Sequence, residues 1–179
     1  MDQKMFENKL DEKQQKKAKQ EALQKASQIA KSGLAFYCTI LEECLGDGGA
    51  LLQSLRIMNT PVKNREGVVM RDISSVGQMC ITADNDRLFV VFYVKDVSDF
   101  TAEKWCNRAL EKYSVERKQT IDSNTCVACL TNVPEKDVYV FKLKDTLVSE
   151  QYAMLRSSGL LPTDDGEEEE TLFGDDAFD

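Results

Sequence analysis

Gln78-Met-Cys-Ile-Thr-Ala83, then Asp84-Asn-Asp86, then Leu88-Phe-Val-Val-Phe-Tyr-Val94 is the stretch that decides the fold class. Two apolar runs rich in β-branched and aromatic residues, separated by a short Asp/Asn turn, predict a β-hairpin. Upstream of it, Leu34-Ala-Phe-Tyr-Cys-Thr-Ile-Leu41 reads as a further strand. Gly46-Asp-Gly-Gly49 reads as a turn into a helix over Ala50 to Met58, where Leu51, Leu52, Leu55 and Met58 fall on one helical face. Thr60-Pro61 ends that helix, and Val68-Val-Met70 is a short apolar run.

Downstream, Thr101 opens a helix whose apolar side is Trp105, Cys106, Ala109, Leu110 and Tyr113. Ser114 to Asn124 reads as a loop and Thr125 to Thr131 as a strand. Val138 to Leu143 reads as a further strand or as the entry to the last helix. That helix is expected to be capped by Asp145, to make apolar contacts through Leu147, Tyr152, Met154 and Leu155, and to stop at Ser157-Ser-Gly159. The expected class is α+β or α/β: a small mixed β-sheet with packed helices, preceded by a long N-terminal helix and followed by a disordered acidic tail.

Composition divides the chain into three regimes. Residues 1–32 have no Gly or Pro and eight lysines against five acids, and predict a helix. Large apolar residues are few there: Phe6, Leu10, Leu23 and Ile29, with none between Asp11 and Glu21. This pattern predicts a projecting or docking helix rather than a core element. Residues 33–163 form the globular body. Residues 164–179 hold nine acids and no base, a composition that predicts disorder. Leu172, Phe173 and Phe178 punctuate that acidic stretch; they read as a docking motif for a protein partner or as part of a plain solvated tail.

Charge and histidine content bound the chemistry. The chain has no histidine, which excludes a Ser-His-Asp triad, a Cys-His dyad and a His-based zinc hydrolase built from this chain alone. The net charge of -8 comes from the tail: residues 1–163 carry 23 bases against 22 acids, so the acidic total does not exclude a nucleic-acid partner. Residues 1–7 are charged from the second position and are not expected to form a signal peptide. The longest apolar run, Leu88 to Val94, is far below the ~20 residues of a membrane span, so a cytoplasmic protein without membrane contact is expected. In that setting the six cysteines read as reduced thiols. Cys126-Val-Ala-Cys129 has CxxC spacing, but on a strand positions three apart face opposite ways; a structural role is favoured over metal or redox chemistry.

On the first helix, Lys9, Lys13, Lys16 and Lys17 lie at i, i+4, i+7 and i+8 and are expected to share one face. With Lys19, Lys25 and Lys31 they form a stripe that either tracks phosphates or is a solvated face. Arg117 and Lys118 add basic groups in the expected loop. Gly46-Asp-Gly-Gly49 lacks the spacing of a phosphate-binding fingerprint, and Glu42-Glu43 and Asp84/Asp86 read as solvated turn residues.

Three stretches together resemble the C-terminal (C-Ala, DHH-associated) domain of alanyl-tRNA synthetase. A Lys-rich helix leads into an apolar strand and then a helix; the 78–94 hairpin is followed by Phe100-Thr-Ala-Glu-Lys-Trp105; Cys126-Val-Ala-Cys-Leu-Thr-Asn132 and Gln151-Tyr-Ala-Met-Leu-Arg156 are similar to the family's final strand and helix. The resemblance spans about residues 10–160. It implies an accessory, non-catalytic module of a cytoplasmic synthetase that helps hold tRNA and contributes to assembly or homodimer contacts, with no cofactor or metal of its own. It implies tRNA binding through Lys9, Lys13, Lys16, Lys17, Lys19, Lys25, Arg117 and Lys118. The family's glycine-rich loop is replaced here by Ser114 to Asn124, which has no glycine and leaves Arg117 and Lys118 as point charges.

Overall fold

The computed structural model describes residues 7–95 and 99–163. The hairpin is its centre: β4 (Gly77–Ala83) and β5 (Arg87–Tyr93) pair antiparallel, Ala83 opposite Leu88. Asp84 closes the turn by accepting the backbone N–H groups of Asp86 and Arg87 on its carboxylate, both at 2.8 Å. β1 (Phe36–Ile40) joins β4 in parallel, and β7 (Thr125–Thr131) joins β5 antiparallel. β6 (Val115–Asp122) adds the far edge, giving a five-stranded mixed sheet in the order β1-β4-β5-β7-β6. β2 (Val62–Lys63) and β3 (Val69–Arg71) form a separate small hairpin.

Helices cover both faces, which is why the central strands are apolar throughout rather than alternating. On one face α1 (Glu12–Ser32) and α2 (Gly48–Asn59) pack with Leu41, Cys80, Phe89, Val91, Val127 and Cys129. On the other, α3 (Ala102–Ala109) and α4 (Val140–Ser157) pack with Met79, Ile81, Val90, Phe92, Cys126 and Ala128. Trp105 is fully buried there, its ring 5.4 Å from Phe92 and 5.6 Å from Phe36, and its indole N–H donates to Gln151 at 3.0 Å. The α2 apolar face expected from spacing is buried at Leu51, Leu52, Leu55 and Met58. Gln78, fully buried at the start of β4, is satisfied by Asn59 and by the carbonyls of Ile73 and Val76.

Three local expectations are corrected. The loop expected over 114–124 is mostly strand β6. Its residues are charged because an edge strand needs only backbone pairing to β7, and charges there discourage pairing with another chain. Asp145 does not cap the last helix but lies inside it; Val138–Leu143 is its entry, and the side-chain oxygen of Asn132 accepts the Val140 N–H at 2.9 Å. The first helix begins at Glu12, because Asp11 accepts the Gln14 N–H at 2.7 Å and Gln14 accepts the Asp11 N–H at 3.1 Å in a reciprocal cap. Residues 164–179, with Leu172, Phe173 and Phe178, lie outside the described residues.

One side chain caps the middle of the β1 edge. The Tyr152 hydroxyl accepts the Cys38 N–H at 3.0 Å and donates to the Cys38 carbonyl at 3.1 Å, the two groups that point away from β4. Tyr152→Phe leaves both without a protein partner, and the expected cost is about 1–3 kcal/mol in urea denaturation. No change in midpoint would show that solvent replaces the hydroxyl at this edge.

Candidate nucleic-acid interface

The lysine face of α1 follows from what the helix buries. Ala18, Ala22, Ala26 and Ile29, at i, i+4, i+8 and i+11, are almost fully buried against α2 and the 3-10 turn at Glu42–Cys44. Alanine lets the two helices lie close, so α1 is a core element despite its polar composition. Leu23, expected among its apolar contacts, is 37% exposed.

At 100° per residue the opposite side of α1 carries Lys13, Lys17, Gln20, Gln24 and Lys31 in one line, with Lys16 beside it, and all six are exposed. The line is about 27 Å long at 1.5 Å per residue. α1 has six lysines against two glutamates. Neither glutamate interrupts the line: Glu12 sits in the first turn, and Glu21 is turned toward the body. The Glu21 carboxylate accepts the backbone N–H groups of Glu42 and Glu43 at 3.1 and 2.9 Å. Burial raises its pKa above the ordinary range, and those two hydrogen bonds and nearby Lys25 pull it back. Gln20 and Gln24 were not singled out from the sequence; the period that aligns the lysines places these amides between them.

The other expected site residues are dispersed. Lys9 is not on the helix. Its backbone N–H donates to Asp47 at 2.9 Å, and Asn8 donates to Gln53 at 2.6 Å, so residues 7–9 cross the N-terminus of α2. The Gly46–Gly49 turn, expected to lead into the helix without binding an anion, is covered by the chain itself, and the other Asp47 carboxylate oxygen caps α2 through the Ala50 N–H. Gly49 makes the crossing possible, since a Cβ there would lie 2.4 Å from the Glu7 carbonyl carbon. Gly49→Ala is expected to expel residues 7–10 and to speed hydrogen exchange at the Lys9 amide; unchanged exchange would show that α2 shifts instead.

Lys19 flanks the stripe and, with Lys16, lines an open groove of about 350 Å³ between α1 and α2. Lys25 is half-buried on the opposite flank, on the side of Glu21. Arg117 and Lys118 are neighbours on β6 and point to opposite faces: Arg117 is opposite Cys129, on the α1/α2 side, and Lys118 is opposite Ala128, where its ammonium donates to Asn107 of α3. They form neither one patch nor part of the α1 line.

All six thiols are buried, and only that of Cys126 is drawn below the ordinary thiol range, by its hydrogen bond with Cys106. Cys126 and Cys129 face opposite sides of the sheet, so one ion cannot take both. Burial pushes the Cys38 and Cys80 thiols far up, and those of Cys44 and Cys129 up to about 12, which holds all four protonated near neutral pH. Glu42 forms an ion pair with the buried Lys144 at 3.1 Å. Among the described residues no helix is long and apolar enough to cross a membrane. No protein-family model matches the chain, and no curated protein matches it.

Proposed function

We propose that this chain is a non-catalytic RNA-binding module, of the accessory kind found at the C-terminus of alanyl-tRNA synthetases, and that it holds tRNA phosphates along the outer face of α1. The observation that carries the proposal is the exposed line of Lys13, Lys16, Lys17 and Lys31, with glutamines between and no acid within it. Lysines at this spacing meet successive phosphates, and amide side chains add hydrogen bonds to phosphate and sugar oxygens. The order of a Lys-rich helix, a strand, a helix, a hairpin and a Trp helix, on which the family resemblance rests, supports the tRNA assignment. With strand β6 where that family has a glycine-rich loop, the proposal assigns phosphate contact to α1 alone.

Filter binding of the full chain to alanine tRNA tests the reading. Four lysine–phosphate contacts give a log–log salt slope of about -3, so affinity falls on the order of 50-fold between about 50 and 200 mM salt. Undetectable binding at about 50 mM salt would overturn it.

A further inference from the structure

The β2–β3 hairpin presents apolar side chains that are exposed among the described residues. Val62 is 40% exposed, Val68 57%, Val69 51% and Met70 64%. Its turn is built: Asn64 accepts the N–H groups of Glu66 and Val68 on its side chain, each at 2.9 Å, and its own N–H donates to the Val68 carbonyl. Arg71 ties the hairpin to α1 through Ser27 at 2.7 Å. The surface is therefore preformed, and Lys63, Arg65 and Arg71 set against Glu66 make it positive.

The chain carries a segment of complementary chemistry. Residues 164–179 hold nine acids, no base, and the apolar residues Leu172, Phe173 and Phe178. The structure also puts the start of that segment at the correct end of the molecule. α4 runs antiparallel to β1, with Lys144 bonded to Glu42 beyond the end of β1 and Tyr152 bonded to Cys38 within it. Its continuation through Leu161 therefore reaches the end of the sheet where β1 begins. Phe36 and Gly77 are paired at that end, and β3 leads into Gly77 from the hairpin. The nine Cα–Cα steps from Thr163 to Leu172 span up to about 30 Å when extended, and the path runs around the β1 edge, because α4 and the hairpin's anchor on α1 lie on opposite faces of the sheet.

We propose that the chain's own acidic segment docks on the β2–β3 hairpin, with Leu172 and Phe173 against Val68, Val69 and Met70 and its carboxylates beside Lys63, Arg65 and Lys31. Each half of the segment has its match: apolar side chains leave water on an apolar surface, and the acids meet bases on either side. The docked carboxylates sit at the Lys31 end of the α1 line and compete there with phosphate. That competition rests on the RNA reading; the docking does not.

The test uses the full chain with p-benzoylphenylalanine at position 173, irradiated at low protein concentration without RNA, and the adducts mapped by mass spectrometry. Adducts within one chain, on residues 62–71, are expected, and Val69→Asp with Met70→Asp removes them. Lys63→Glu with Arg65→Glu weakens them through charge alone. Adducts elsewhere on the body, adducts only between chains, or adducts indifferent to both hairpin variants would overturn the docking. In a second arm, Leu172→Ala with Phe173→Ala in the full chain raises affinity for alanine tRNA. Failure of RNA binding removes the competition and leaves the crosslink standing as evidence for docking.

Discussion

Replacing Lys13, Lys16 and Lys17 together by glutamine lowers affinity for alanine tRNA about 100-fold at low salt, while the urea midpoint of the protein stays where it was. A solvent-exposed lysine–phosphate contact contributes about 1 kcal/mol, so three of them account for a loss of this order. The stability expectation follows from exposure: the three side chains lie opposite Ala18, Ala22 and Ala26, and glutamine keeps helix propensity close to that of lysine. Two controls sharpen the result. Lys118→Gln removes a base that is bonded to Asn107 on the other side of the sheet, and it leaves RNA affinity unchanged. Lys9→Gln likewise has little effect, since what holds residue 9 in place is its backbone N–H. A triple variant that binds as tightly as the parent would remove α1 from the interface.

The largest expected effect on stability is at Trp105. Its ring is fully buried among Phe36, Phe92 and Phe100, and its N–H satisfies Gln151, which is itself 3% exposed. Trp105→Ala costs about 3–5 kcal/mol through the lost contacts and the cavity. Loss of the Gln151 partner adds about 1–3 kcal/mol. Against a total of about 5–15 kcal/mol for a domain, this removes a large share of the stability and lowers the urea midpoint steeply. Trp105→Phe keeps most of the apolar area and separates the two contributions, and pairing it with Gln151→Leu recovers the hydrogen-bond part. Urea denaturation of the four proteins gives each contribution; equal midpoints for Trp105→Phe and the parent would mean that the Gln151 bond contributes nothing.

What was legible in the sequence was the part in which one physical signal dominates. Residues 78–94 carry two continuous apolar runs around an Asp/Asn turn, and they form the central hairpin. The α2 and α3 faces were read from spacing, because Leu51, Leu55, Met58, Trp105 and Ala109 are apolar and periodic. Strand β6 escaped because its sequence, Val-Glu-Arg-Lys-Gln-Thr-Ile-Asp, has neither an apolar run nor a turn residue; pairing to β7 alone makes it a strand. The core face of α1 was obscured for a similar reason. Its buried residues are mostly alanines, which signal helix propensity more than burial, so Leu23 drew attention that belonged to Ala18, Ala22 and Ala26.

The candidate site was half legible. Periodicity aligned Lys13, Lys16 and Lys17 correctly, since α1 is a regular helix over those residues. Lys9 was placed with them because nothing in its own neighbourhood announces that the chain turns away to cross α2; that crossing depends on Gly49 and Asp47, some forty residues on. Arg117 and Lys118 looked like a pair in a loop, and a strand separates adjacent residues onto opposite faces.

The central claim is that α1 holds RNA phosphates, and the salt dependence of binding tests it most directly. Alanine-tRNA affinity of the full chain and of the Lys13/Lys16/Lys17→Gln variant is measured across a salt series, and the log–log slopes are compared. The slope is expected to fall from about -3 for the parent to about -1 for the variant, which retains one lysine of the line. Identical slopes for the two proteins would contradict the account, because phosphate contact would then run through other residues.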